Sequence, residues 1–411
     1  MAGNAFATCV RASCCALATV LVAAAQDGVA GSVTTIEGRT LVGALRVAAD
    51  GKAEVVGKDG TTALQVAELA TFERTDAVQA RLEVPHRMWL RSGLELPVVR
   101  FGGEPAADGK PATLRVETPS GLSLAFPLGT VRALRHGGLE RPEPNLFRAD
   151  LDKPAPNDDL LYVVKDGKAQ RSQVTVTGLR SDGIDFLLRG DAYEFELKGL
   201  AAVVFGANTG LPPDRQPKPR VRLELCRGEA FDGRLLGLDA TNARLQLDEG
   251  IEVVVPSSQL LRFTVQSDRL LWLGDLKPVI TQTPAFDRTW PPTFDRSLGG
   301  AGFQVAGERF ARGVGLVPRT RLDYELGGRF DVFEAAIGID DRGGAEANAI
   351  FRVLVDGKVA YESAAKKRGD AAEVVRVPLQ KAQRFAIEVD FGADYDLGDH
   401  CVFADARVLQ Q

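Results

Sequence analysis

The sequence predicts an all-β protein in which several small barrels precede a C-terminal β-sandwich. Three observations carry that expectation. Short runs of alternating or β-branched apolar residues recur along the chain, Asp-Gly pairs punctuate them, and 43 glycines and 21 prolines are spread out rather than clustered. Short strands joined by tight turns are the pattern of sandwiches and barrels. Asp-Gly between such runs is the strongest short-range hairpin signal. At 411 residues the chain exceeds one ordinary core, so several domains are expected. A hydrophobic content of 45% with 26% charged residues is that of a folded chain rather than a disordered one.

The first element reads as an export signal, residues 1–25. Arg11 is the only charge there, residues 16–25 are apolar, and Ala23-Ala24-Ala25 before Gln26 is an A-x-A cleavage pattern. The run is shorter than the roughly 20 apolar residues that span a bilayer. No later run reaches that length, so no integral membrane segment is expected once the signal is removed. The expected location is secreted, periplasmic or cell-surface. Cys14 and Cys15 precede the apolar run and so do not form a lipoprotein site. Cys226 and Cys401 remain, and both are expected to be buried thiols. The net charge of −5 and the absence of a basic run give no footprint for nucleic acid.

From Gly31 to Val265 one pattern is stated four times: strand, glycine turn, alternating strands and a short apolar closing strand. The first copy runs from Leu41-Val42-Gly43 through Asp50-Gly51 and Asp59-Gly60 to Leu69-Ala70-Thr71-Phe72. The second runs from Met88-Trp89-Leu90 to Val131-Arg132-Ala133-Leu134, and the third from Leu161-Tyr162-Val163 to Val203-Val204-Phe205. In the fourth, Arg244-Leu245-Gln246-Leu247-Asp248 alternates with period two, one face wet and one buried. Units this small cover their cores by curling into barrels, which also removes open edges. They resemble SH3-like or Sm-like barrels. Two are expected in 31–140 and two in 158–266, arranged as consecutive pairs on either side of the Pro-rich stretch 141–156. A spacer or docking role toward other envelope proteins is the expected use.

Near Arg269 the texture changes. Leu270-Leu271-Trp272-Leu273-Gly274-Asp275-Leu276 is followed by Phe294-Asp295-Arg296-Ser297, Arg312-Gly313-Val314-Gly315-Leu316 and Leu322-Asp323-Tyr324. Then come Ala336-Ile337-Gly338-Ile339-Asp340-Asp341, Phe351-Arg352-Val353-Leu354-Val355-Asp356-Gly357, Gly398-Asp399-His400 and Ala404-Asp405-Ala406. In this order and spacing they resemble the NPCBM domain, a family of carbohydrate-binding modules first noted beside family 98 glycosyl hydrolases. The resemblance covers residues 267–411 and implies a galactose-binding-like β-sandwich (jelly roll). Val317 and Phe403 stand where the family commonly has His and Trp. Short β-branched runs at 353–355, 374–377 and 385–389 say sandwich independently of the resemblance.

Catalytic patterns are missing: there is no G-x-S-x-G, H-E-x-x-H, P-loop or C-x-x-C. Only His86, His136 and His400 could serve a zinc site or a triad. A glycosidase needs only two carboxylates, but the pair Asp340-Asp341 falls inside a motif of a non-catalytic family, so no enzyme is expected. A sugar site needs an aromatic face and planar polar groups. Trp290 beside Pro291 and Pro292, and Phe286, supply the first; Asp295, Arg296 and Arg342 supply the second. Asp340 and Asp341, with the 394–399 cluster, offer oxygens for a structural Ca²⁺ of the kind such sandwiches carry. Solvated turn carboxylates are the plainer alternative. The expected function is non-catalytic binding of a polysaccharide or glycoconjugate. The alternative is a structural or protein-interaction component of the envelope without sugar binding.

Overall fold

The computed structural model describes residues 27–106, 110–137, 144–165, 168–180, 182–283, 290–300, 302–310, 312–392 and 398–410. The expected signal, Phe286 and the acidic residues 394–396 lie outside these. The chain divides into two compact units, Met1–Val265 and Gln266–Gln411. Both are built almost wholly of antiparallel strands.

The N-terminal unit repeats one local device four times. A single 3-10 turn precedes each closing strand: Val66–Glu68 before Leu69–Arg74, and Leu128–Thr130 before Val131–Arg135. Likewise Leu197–Gly199 precedes Leu200–Val204, and Ser257–Gln259 precedes Leu260–Gln266. In every case the first residue after the turn donates its N–H to the carbonyl of the turn's first residue. The third closing strand, Leu200–Val204, is wholly apolar because it is buried at every position.

The closing strands also decide which repeats join. Leu69–Arg74 pairs with Leu260–Gln266, setting Phe72 opposite Phe263 with ring centroids 5.3 Å apart. Val131–Arg135 pairs with Leu200–Val204. The first repeat therefore joins the fourth in a ten-stranded sheet, closed again by Val47 against Leu238, and the second joins the third in an eight-stranded sheet. The pairs are nested, which corrects the expected consecutive pairing of 31–140 and 158–266. The expectation assumed that sequence neighbours pair. Loop-closure entropy rises only logarithmically with separation, so a distant partner strand costs little more than a near one.

The Pro-rich stretch is also more than a spacer, because Pro144–Asp152 is an α-helix. Proline suits the first turn, where its missing N–H is not needed. Phe147 and Leu151, one helical turn apart, are buried, and the Phe147 ring meets Trp89 at 5.6 Å and Tyr162 at 5.7 Å. Asp150 accepts the Tyr162 hydroxyl proton and pairs with Arg171. Buried Glu229 ties the fourth repeat to the second by accepting the backbone N–H and hydroxyl of Ser120. Among the described residues no helix is long and apolar enough to cross a membrane.

The C-terminal unit is the expected β-sandwich. Its first sheet runs Thr293–Phe294, Gly313–Leu316, Cys401–Leu409, Val332–Ile339, Glu373–Pro378, with Leu270–Trp272 also beside Cys401–Leu409. Its second runs Val279–Gln282, Thr320–Glu325, Arg384–Phe391, Asn348–Val355, Lys358–Glu362, with Lys366–Lys367 at Asn348–Val355. Phe333, Phe351, Phe385 and Phe403 fill the space between them. A hairpin, Phe303–Val305 with Glu308–Phe310, lays Phe303 and Val305 on Ala336, Val402 and Ala404 on the outer side of the first sheet. That cover is why Cys401–Leu409 is buried at all but one position. It also requires Gly338, where a Cβ would lie 2.5 Å from Val305 Cγ1.

Candidate functional site

The register of the first sheet brings four separated residues to one end of the sandwich. Leu316 and Ile339 both lie opposite Cys401, and Thr293 lies opposite Gly315. The chain just beyond these rows holds Trp290, Val317, His400 and Asp340. Trp290 is 51% exposed. Its backbone is anchored, since Gln282 Nε2 donates to the Trp290 carbonyl at 3.0 Å and to Thr320 Oγ1 at 2.8 Å. Arg342 keeps 40% of its side chain exposed. Its Nη1 donates to the Gly302 carbonyl at 2.9 Å and to the Asp340 carboxylate at 3.2 Å. The His400 carbonyl accepts the Asp340 N–H, and its Nδ1 has no hydrogen-bond partner among the described residues. Val317 is buried between these groups in the row.

An exposed indole and a tethered guanidinium on one rim can take a polyhydroxylated ring. The aromatic face covers an apolar C–H surface, and the guanidinium presents several N–H donors to oxygens. On the second sheet the ion pairs are with the protein itself. There Arg352 is held by Glu362, Glu388 and Asp390, a solvated ion network spent on itself.

Not every expected residue reaches this rim. Arg296 is exposed on the following segment. Asp295 is turned into the fold: it sits at φ 53°, accepts Arg312 Nη2 at 2.8 Å and Nε at 3.3 Å, and accepts the Gly313 N–H at 3.1 Å. Asp275 holds the same guanidinium, whose side chain is 4% exposed. Burial alone would lower the Arg312 pKa, but Asp295 and then Asp275 reverse that and raise it. The fully buried Trp272 ring lies between Arg312 and Arg407, whose guanidinium carbons are 5.5 and 5.4 Å from its centroid. Asp295 is therefore part of a clamp that joins three separate motifs, and its oxygens are not presented to a ligand.

The expected Ca²⁺ ligands are likewise spent on the protein. Asp340 accepts N–H groups of Gln304 and Arg342, and Asp341 accepts those of Ala306 and Gly307. Among the described residues no three His, Cys, Asp or Glu side chains are grouped to hold a metal ion. Two of the three histidines do meet, His86 and His136, with ring centroids 4.5 Å apart in the N-terminal unit. The Gly137 N–H donates to His86 Nδ1, and burial, then His136, pushes the His86 pKa down to about 4. Both are packing groups of the second repeat rather than members of the rim.

Two curated proteins are similar over part of the chain. A Renibacterium salmoninarum protein named as an endo-alpha-N-acetylgalactosaminidase is 30% identical over 128 residues, 28% of this chain and 8% of its own length. Alpha-1,3-galactosidase B of Akkermansia muciniphila is 30% identical over 87 residues, 21% of this chain and 11% of its own. The chain thus spans only a small part of either relative. Among solved structures, a CBM51 module from Clostridium perfringens GH95 in complex with methyl-galactose is 23% identical, covering 34% of this chain and 99% of that one, with a TM-score of 0.31. The tandem CBM51 modules of a family 98 glycoside hydrolase from Streptococcus pneumoniae are 13% identical over 93% of this chain and 88% of theirs, with a TM-score of 0.31. What the C-terminal unit matches, from residue 269 to residue 409, is the NPCBM/NEW2 domain family.

Proposed function

We propose that this chain is an exported, non-catalytic protein that binds a polysaccharide or glycoconjugate through the loop rim of its C-terminal sandwich. The observation that carries the reading is that exposed Trp290 and tethered Arg342 both follow from rows at the same end of the first sheet, in the region that matches the NPCBM/NEW2 domain. The indole stacks on the C–H face of a pyranose, and Arg342 donates to its hydroxyls. The nested barrels of the N-terminal unit then serve as spacer or docking modules for other envelope proteins.

A glycan array probed with the full chain tests the reading, with Trp290→Ala as the decisive variant. Truncating an exposed aromatic anchor costs about 1–3 kcal/mol of binding, roughly a 5- to 150-fold loss of affinity. Stability should change by no more than about 0.5 kcal/mol, as for other surface positions. A drop of about 3–5 kcal/mol in stability with binding intact would instead make Trp290 a packing residue. No glycan bound by the parent chain would favour the protein-interaction reading.

A further inference from the structure

Asp340, beside the proposed rim, is a fully buried carboxylate, at 0% exposure. Its Oδ1 accepts the Arg342 N–H at 3.0 Å and Arg342 Nη1 at 3.2 Å, and its Oδ2 accepts the Gln304 N–H at 3.2 Å. Gly302 fixes the same Nη1 through its carbonyl. The arginine stem passes over Gly299, where a Cβ would lie 3.6 Å from Arg342 Cδ. Among the described residues, Nε and Nη2 of Arg342 make no protein hydrogen bond. One side of the guanidinium is thus pinned and the other is presented outward.

We infer that Asp340 is a positioning residue for sugar recognition, one that never touches the ligand but holds the Arg342 guanidinium in its binding orientation. The inference rests on the sugar-binding reading above. A long cationic side chain gives up much rotamer freedom when it engages a ligand. Holding it in place beforehand removes that cost from binding. Asp341 provides a built-in contrast. Its two oxygens accept the Ala306 and Gly307 N–H groups at 2.8 and 2.9 Å, so it fastens the hairpin tip and not the arginine.

The test measures binding of the full chain to immobilised mucin alongside the melting temperature. Asp340→Asn preserves shape and should weaken binding about tenfold, as should Arg342→Gln. The double variant should bind no worse than either single one, because both remove the same oriented group. Asp341→Asn should lower the melting temperature and leave affinity unchanged. Wild-type affinity in Asp340→Asn, or additive losses in the double variant, would overturn the inference while the sugar-binding reading stands. Absence of binding by the wild type, to mucin and to a glycan array, would overturn both. Should Asp340→Asn fail to fold, nitrogen NMR of the wild-type Arg342 side chain decides. Hindered rotation of its guanidinium is expected, and free rotation would overturn the inference.

Discussion

Arg312→Met is expected to destabilise the C-terminal unit by about 3–5 kcal/mol, the usual result of removing one partner from a buried ion network. Methionine fills much of the volume but leaves Asp275 and Asp295 facing one another without their cation. The carboxylates cannot simply swing outward. Asp295 also holds the Gly313 N–H, and it approaches Gly274 so closely that a Cβ there would lie 2.6 Å from Asp295 Oδ1. Trp272 loses one of its two stacked guanidinium groups at the same time. By calorimetry the transition of this unit should fall by roughly 10 °C. A change under about 2 °C would mean the clamp is incidental to the fold.

Phe403→Ala should cost a similar amount, about 3–5 kcal/mol. Phe403 is 0% exposed and packs against Phe351 at 5.3 Å and Phe333 at 6.4 Å between the two sheets. Its strand is covered on the other side by the 303–310 hairpin, so neither layer can collapse easily into the cavity. Urea unfolding monitored on the full chain should show the loss in the second unit's transition alone. Glycan affinity measured well below that transition should be little changed, because Phe403 faces the core and not the rim.

The strands were legible in the sequence because their period-two patterns and Asp-Gly turns are local signals. Closing strands such as Leu200–Val204 were legible as apolar but not as partners, since a run buried on both faces carries no address for the strand that covers it. The helix at Pro144–Asp152 left a sign in Phe147 and Leu151, one turn apart, which the flanking prolines masked. Trp290 and Arg342 were legible as candidates from their chemistry, and the register brings the chain that carries them to one end. Asp295 was not, because its partner Arg312 is a tertiary neighbour 17 residues away. The separate hydrogen-bond partners of Asp340 and Asp341 left no local sign. The strand ends at Ile339 and the chain turns at Asp341, and one carboxylate meets Arg342 while the other meets the hairpin tip. His400 gave no local cue beyond its place after Gly398-Asp399.

The most direct test of the account is a hydrogen-exchange footprint of the full chain with and without a glycan selected on the array. Slowed exchange is expected in the loops that carry Trp290, the glycines at 299–302, residues 340–347 and residues 398–400, with the N-terminal unit unaffected. Protection confined to residues 27–265, or to the outer face around Arg352, would contradict the assignment of sugar binding to the sandwich rim.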